Sequence, residues 1–332
     1  MRREMDRYRG WFPPFDSVYI GGGTPSVLSA DLLSDLLRHL RVALPWQTAA
    51  EVTIEANPET AELDKLALLR ELGVTRLSLG LQSLNNVDLC YLGRQHGIDA
   101  GFRAIAAARN VGFDQLSIDL IYGWEGQLLA SWEDTLKQAV ALRPEHISCY
   151  QLTIEPRTVF GQRLARGEIA MISDEEQRLF FIRTSEILTA RGYLHYEVSN
   201  FAVDAGHICR HNMKYWQRTP YLGLGPAAHS FQTGRRWWNF RNLTKYIEYL
   251  NRDSLPIEDE ELLSSDQQRL EQIFLGFRTH DGVSVVLLQQ HPCWEQKLAQ
   301  LEQERLIRLE GGRAIATLTG WAVADQLALQ FI

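Results

Sequence analysis

Ser17-Val18-Tyr19-Ile20-Gly21-Gly22-Gly23-Thr24-Pro25 is a short apolar run that ends in three glycines. The same construction repeats further along. Val52–Glu55 opens onto Ala56-Asn57-Pro58, and Arg76–Leu81 onto Gln82-Ser83. Gln115–Leu120, which carries Asp119, opens onto Tyr122-Gly123, and Ile147–Ile154 carries Tyr150 and Thr153 before Glu155. The bodies of these runs read as apolar and their ends as polar or glycine. Between them lie helical patterns: Leu63, Leu66, Leu69 and Leu72 stop at Gly73, and Asp99–Val111 stops at Gly112, glycine being the usual residue just past a helix end. Strands alternating with helices predict a parallel sheet with crossover helices. In such sheets ligands collect at the carboxyl ends of the strands.

Beyond the fifth run, Ser173-Asp174-Glu175-Glu176 reads as a capping box that starts a helix ending at Gly192,. A strand over His195–Ser199, an aromatic-rich region to about Arg241 and a short helix through Tyr246 and Leu250 follow. Residues 251–265 are polar and acidic and read as a linker. The remainder predicts three helices and a hairpin turning at Gly311-Gly312, a winged-helix-like pattern. Its candidate recognition helix, Glu295–Arg305, is as acidic as basic, which favours a structural or docking role. The divisions expected are residues 1–160 for the barrel core, 161–250 for its extension, 251–265 for the linker and 266–332 for the C-terminal module.

Lys and Arg number 34 against 41 Asp and Glu, for a net charge of −7. A chain that grips nucleic acid phosphates carries a basic surplus, so nucleic acid is not the expected partner. No apolar run approaches the roughly 18 residues of a membrane span, and Met1–Gly10 lacks the apolar core of a signal peptide,. Stable membrane insertion is not expected. Cys90, Cys149, Cys209 and Cys293 are far apart, as in a reduced, cytoplasmic protein. Cys90 and Cys149 read as core residues.

Each candidate has a plain structural reading. Three glycines after a strand also make a tight turn; no Gly-Lys-Ser/Thr follows, and no Gly-x-Gly-x-x-Gly is present,. Glu55, Gln82 and Asp119 serve equally as caps or surface groups. Converging carboxylates suit ribose hydroxyls or an amino group, and Arg94 offers a fork for a carboxylate.

Taken in order, Ile20–Ser26, Glu55–Pro58, Arg76–Ser83, Leu92–Arg94 and Asp119–Gly123 resemble the radical S-adenosylmethionine (SAM) proteins related to oxygen-independent coproporphyrinogen III oxidase. Tyr196–Ala202 followed by His211-Asn212-Met213-Lys214-Tyr215-Trp216 is similar to the HemW-type heme chaperone branch, whose hallmark is His-Asn-x-x-Tyr-Trp. The resemblance implies that Gly22, Gly23 and Thr24 hold the methionine end of SAM, with Glu55, Gln82, Arg94 and Asp119 completing that site. It implies that His211, Asn212, Tyr215 and Trp216 form a heme-associated motif, since histidine ligates iron and aromatic rings face a porphyrin. His211 is the first choice of iron ligand, with Cys209 and His207 as alternatives and Trp237 and Trp238 flanking. The function implied is a chaperone that binds heme and SAM and delivers heme to hemoproteins such as respiratory-chain enzymes. The alternative is radical dehydrogenation of coproporphyrinogen III.

The family also carries a Cys-x-x-x-Cys-x-x-Cys loop whose thiolates hold a 4Fe-4S cluster, and residues 1–332 contain no such spacing. The expectation is therefore an α/β fold: a partial parallel (βα) radical-SAM barrel lacking its first strand, with a C-terminal winged-helix-like module, and no cluster ligands in this chain.

Overall fold

In the computed structural model, which describes residues 1–95 and 97–331, the five apolar runs form β1 (Phe15–Ile20), β2 (Trp46–Ala56), β3 (Arg76–Gln82), β4 (Gln115–Tyr122) and β5 (His146–Gln151). They are parallel and in sequence order. The sheet continues through β7 (Asn200–Ala202), antiparallel to β5, and then β6 (Leu194–Glu197), giving the order β1-β2-β3-β4-β5-β7-β6. This parallel-dominated sheet curls into a half-barrel, as the sequence pattern predicted.

The crossover helices pack one face. Helix Ala30–Ala43 buries Leu33, Leu37 and Leu40, three to four residues apart, after a Ser29 N-cap. Leu77 and Leu79 of β3 and Ile54 of β2 are fully buried in the same core as Trp132 and Leu136 of helix Leu129–Ala141. Burying each such side chain contributes about 1.5–3 kcal/mol. The capping box at Ser173 and Glu176 forms as read, with both reciprocal hydrogen bonds present.

The other face of the sheet corrects the reading of apolar strand bodies. Side chains alternate along a strand, and the registers Ser17↔Glu51, Thr53↔Arg76, Ser78↔Ser117 and Asp119↔Ser148 align one polar row across five strands. The row includes Ser17 and Tyr19, then Glu51, Thr53 and Glu55, then Arg76 and Ser78, Ser117 and Asp119, and His146 and Ser148. Most are buried, so they must bond one another. Ser117 Oγ lies 2.8 Å from His146 Nδ1, and His146 Nε2 lies 2.7 Å from the Tyr196 hydroxyl. Among the described residues, Thr53 Oγ1, Arg76 Nη2 and Asn200 Oδ1 have no partner.

Two smaller sheets complete the chain. β8 (His229–Gln232), β9 (Arg235–Asn239) and β10 (Ile257–Leu262) form one antiparallel sheet. β10 corrects the linker expected at 251–265: Glu260 and Glu261 pair with Arg235 and Arg236 of β9, so the acidic run is the complement of a basic strand. β11 (Val283–Ser284), β12 (Ile307–Glu310) and β13 (Arg313–Ala316) form the other, in the order β11-β13-β12. With helices Ser265–Gly276, Val285–Leu288 and Trp294–Gln303 they make the winged-helix-like arrangement. Gly311 and Gly312 both have positive φ, 55° and 75°, which a two-residue hairpin turn of this hand requires. The module meets the half-barrel where the His280 N–H donates to the Tyr196 carbonyl at 2.9 Å and the Val198 N–H to Arg278 at 3.0 Å.

Candidate functional site

β1 ends at Ile20, and the chain passes through Gly22 and Gly23 at φ 85° and 139°. A Cβ on Gly21 would sit 2.7 Å from both Glu55 Oε1 and the Tyr19 ring. The glycine therefore makes room for those two groups, and the Tyr19 hydroxyl donates to Glu55 Oε1 at 2.8 Å. Thr24 is held by Asn57, whose Nδ2 donates to its Oγ1 at 3.1 Å.

Glu55 lies opposite Ser78 on β3, and Ser78 Oγ is 3.0 and 3.2 Å from the two oxygens of Asp119 on β4. Burial pushes the Asp119 carboxyl up to about 6, against the hydroxyls of Ser148 and Ser78. Glu55 and Asp119 thus share one sheet face. Gln82 adopts φ 66°, the left-handed region that a side chain disfavours, at a register shift where β3 parts from β4,. A Cβ on Gly80 would lie 2.7 Å from Gln82 Nε2 and 3.5 Å from Asn57 Oδ1, so Gln82 folds back toward the same rim. Arg94 follows helix Asn86–Tyr91; among the described residues its buried Nε has no hydrogen-bond partner, and no hydrogen bond ties it to Glu55, Gln82 or Asp119.

The later motif lands on the same polar face. Helix Arg210–Trp216 is docked by Glu51, whose carboxylate accepts the Arg210 and His211 N–H groups at 3.2 and 3.1 Å. Lys214 pairs with Asp16 at 2.6 Å. His211 stacks on Tyr19 with ring centroids 4.4 Å apart and planes 16° apart. Tyr215, one helical turn on, meets His211 edge to face at 5.0 Å and is 42% exposed. Burial lowers the His211 imidazole to about 4, assisted by Lys214. It is neutral at ordinary pH, the form that binds a metal.

The structure does not gather the whole motif. Trp216 points away from His211 and packs with Met213 against Tyr196 and Ala202; residues one apart from an i, i+4 pair lie on another helix face. Asn212 shares that turn and is half-buried. Trp237 is a core residue whose indole N–H donates to the Tyr8 hydroxyl at 3.0 Å, and Trp238 stacks on His229. His207 Nδ1 is 2.8 Å from Asp204. Cys209 is buried, with its Sγ 3.6 Å from Glu51 Oε1; burial, with Glu51 beside it, pushes the thiol up to about 12. Sequence reading missed Tyr19, Glu51 and Ser78 altogether. The signal was the polar period of two in Glu51-Val52-Thr53-Ile54-Glu55 and Arg76-Leu77-Ser78.

Cys90, expected in the core, is exposed, whereas Cys149 is buried. Among the described residues no three His, Cys, Asp or Glu side chains converge as a metal site. No ligand set for a 4Fe-4S cluster is present among the described residues. The described residues fit SAM better: a glycine cradle beside two carboxylates on one face suits a cationic amino acid end. Among the described residues no helix is long and apolar enough to cross a membrane.

Residues 1–139 match the Radical SAM superfamily. The chain is 35% identical over 273 residues to the heme chaperone HemW of Bacillus subtilis, covering 82% of this chain and 72% of that one. It is 35% identical over 321 residues to the heme chaperone HemW of Synechocystis, covering 96% and 73%. Among solved structures, the coproporphyrinogen III oxidase HemN of Escherichia coli, described as a radical SAM enzyme, superposes with a TM-score of 0.82 at 23% identity. That likeness covers 99% of this chain and 81% of the other, and it speaks for the fold alone.

Proposed function

This chain belongs to the heme chaperone HemW family within the radical SAM superfamily, and from that membership we propose that it binds heme and delivers it to hemoprotein acceptors such as respiratory-chain enzymes. Family membership implies SAM and a 4Fe-4S cluster as cofactors. Glu55 and Asp119 would take the amino end of SAM, Gly22, Gly23 and Thr24 its methionine backbone, and Gln82 and Arg94 the remaining polar groups. Bound there, SAM would supply a charged ligand at the strand ends, on the polar face that also carries His211.

The observation that carries the heme assignment is His211. Burial holds it neutral, and its ring stacks on Tyr19 with centroids 4.4 Å apart. It also sits beside the exposed face of Tyr215. A neutral imidazole next to aromatic surface is one standard way to hold heme iron. Asn212 and Trp216 would act from the same helix, Trp216 by packing it rather than by facing the porphyrin. A cytoplasmic setting goes with this reading.

Porphyrin dehydrogenation, the other reading, is less favoured, because relatives at 31–40% identity bear the heme chaperone name. The test is a hemin titration of the chain and of His211→Ala, followed by Soret absorbance, with transfer to an apo-hemoprotein as the second measurement. Saturable binding that the variant loses supports the reading. No saturable binding by the parent overturns it.

A further inference from the structure

We propose that Tyr19 is the positioning residue for His211, its ring fixing the plane of the imidazole and its hydroxyl tying that plane to Glu55. The inference rests on the heme reading above and adds to it a residue outside the motif.

The helix that carries His211 is only seven residues long, too short to be stable by itself. Its backbone is held by Glu51 and its last turn by Lys214 with Asp16. None of these contacts touches the imidazole, whose orientation depends on the rotation of its own side chain. The described neighbours that restrict that rotation are aromatic. Tyr19 lies parallel at 4.4 Å and Tyr215 stands perpendicular at 5.0 Å, with planes 88° apart. Tyr215 is exposed and on the same short helix, so it moves with His211. Tyr19 belongs to β1, the edge strand laddered to β2, and is the fixed reference.

Tyr19 is itself held at both ends. Its backbone lies in the β1–β2 ladder opposite Thr53. Its hydroxyl donates to Glu55 Oε1 at 2.8 Å, in a space left open by the absence of a Cβ on Gly21. One residue thus joins the strand-end carboxylate to the candidate iron ligand through a hydrogen bond and a stack. An axial imidazole binds iron through a directed lone pair, so a ligand whose plane is set beforehand loses less freedom on binding.

The test is hemin titration of the full chain and of Tyr19→Phe and Tyr19→Leu, read by Soret absorbance and by the EPR g-values of the ferric complex. The phenylalanine variant keeps the ring but loses the tie to Glu55, and is expected to bind about twofold more weakly than the parent. The leucine variant loses the stack and is expected to bind about threefold to tenfold more weakly, with shifted g-values. In a His211→Ala background, Tyr19→Leu is expected to change nothing further. Should the leucine variant not fold by circular dichroism, Tyr19→Met, which is flexible and has no flat ring, takes its place. Unchanged affinity and g-values without the ring overturn the inference and leave the heme reading standing. So does a phenylalanine variant as impaired as the leucine one. Failure of the parent to bind hemin overturns both.

Discussion

Ser78 on β3 donates its hydroxyl to Asp119 on β4 at 3.0 Å, and Ser78 stands opposite Glu55 of β2. Ser78 thus stands between two carboxylates of non-adjacent strands on one sheet face, and its hydroxyl bonds one of them. A neighbouring negative charge raises the cost of ionising a carboxyl. Burial is the larger cause at Asp119, and Glu55 adds to it.

The first prediction follows from that carboxyl. With Asp119 raised to about 6, it is mostly protonated at about pH 5 and mostly charged at about pH 7. SAM carries a sulfonium and an ammonium, so its binding favours the charged form. SAM affinity is expected to rise about tenfold across that interval. Equilibrium dialysis with labelled SAM checks this, and Asp119→Asn is expected to flatten the profile. A parent profile already flat would remove Asp119 from the site.

Cys209 is the second. A cysteine two residues from the motif histidine invites assignment as an iron ligand, but ligation needs the thiolate. Burial and Glu51 push this thiol up to about 12, so it stays protonated at any ordinary pH. Cys209→Ser is expected to leave the Soret maximum unchanged and hemin affinity within about twofold of the parent. A shifted maximum in the variant would reinstate the sulfur.

The strand ends and helix stops were legible because their signals are local. Gly22 needs its positive φ where the chain leaves β1, and Ser173 and Glu176 bond each other across three residues. Tyr19 was not legible, because its stacking partner lies 192 residues away, at His211. The acidic β10 failed in the same manner. Its charges read as solvated until Arg235 and Arg236 were placed beside them. Trp216 shows the opposite error. Four motif residues in a row of six suggested one surface, but the turn of the helix sends Trp216 into a different cluster from His211.

A third prediction concerns acid stability. His195 is buried, stacked on Phe201 at 4.0 Å and 2.9 Å from Ser185 Oγ, and burial lowers it to about 3. The native state therefore binds fewer protons there than the unfolded state, whose histidine titrates near 6.5. Its contribution is present above about pH 6.5 and is lost as pH falls toward 3, at up to about 1.4 kcal/mol per pH unit. Glu197, raised to about 7 by burial, works in the opposite direction: its contribution is present below about pH 4.5 and is lost as pH rises through 7. Urea unfolding at a series of pH values is expected to show a slope smaller by about one proton between pH 4.5 and 6 in His195→Gln. An identical slope in the variant would mean that His195 is not held neutral.

The last prediction concerns the N-terminal helix. Glu4, on helix Arg2–Arg7, is fully buried and accepts the Tyr246 hydroxyl at 2.5 Å, the Gly225 N–H at 3.0 Å and the Asn239 side-chain amide. Burial raises its carboxyl above the usual range, against those three hydrogen bonds. One side chain thereby joins the helix to β9, to the loop at Gly225 and to helix Leu243–Asn251. Glu4→Ala leaves three buried donors unpaired, at about 1–3 kcal/mol each where water cannot reach them. The expected loss is about 3–5 kcal/mol, the range for removing one partner from a buried charged network. Tyr246→Phe removes a single bond, and its expected cost is about 1.5 kcal/mol. Arg9→Ala, whose pair with Asp6 is exposed, is expected to cost under about 0.5 kcal/mol. Chemical denaturation of the three variants gives the ordering. A Glu4→Ala loss no larger than that of Arg9→Ala would mean that the helix is not anchored through this carboxylate.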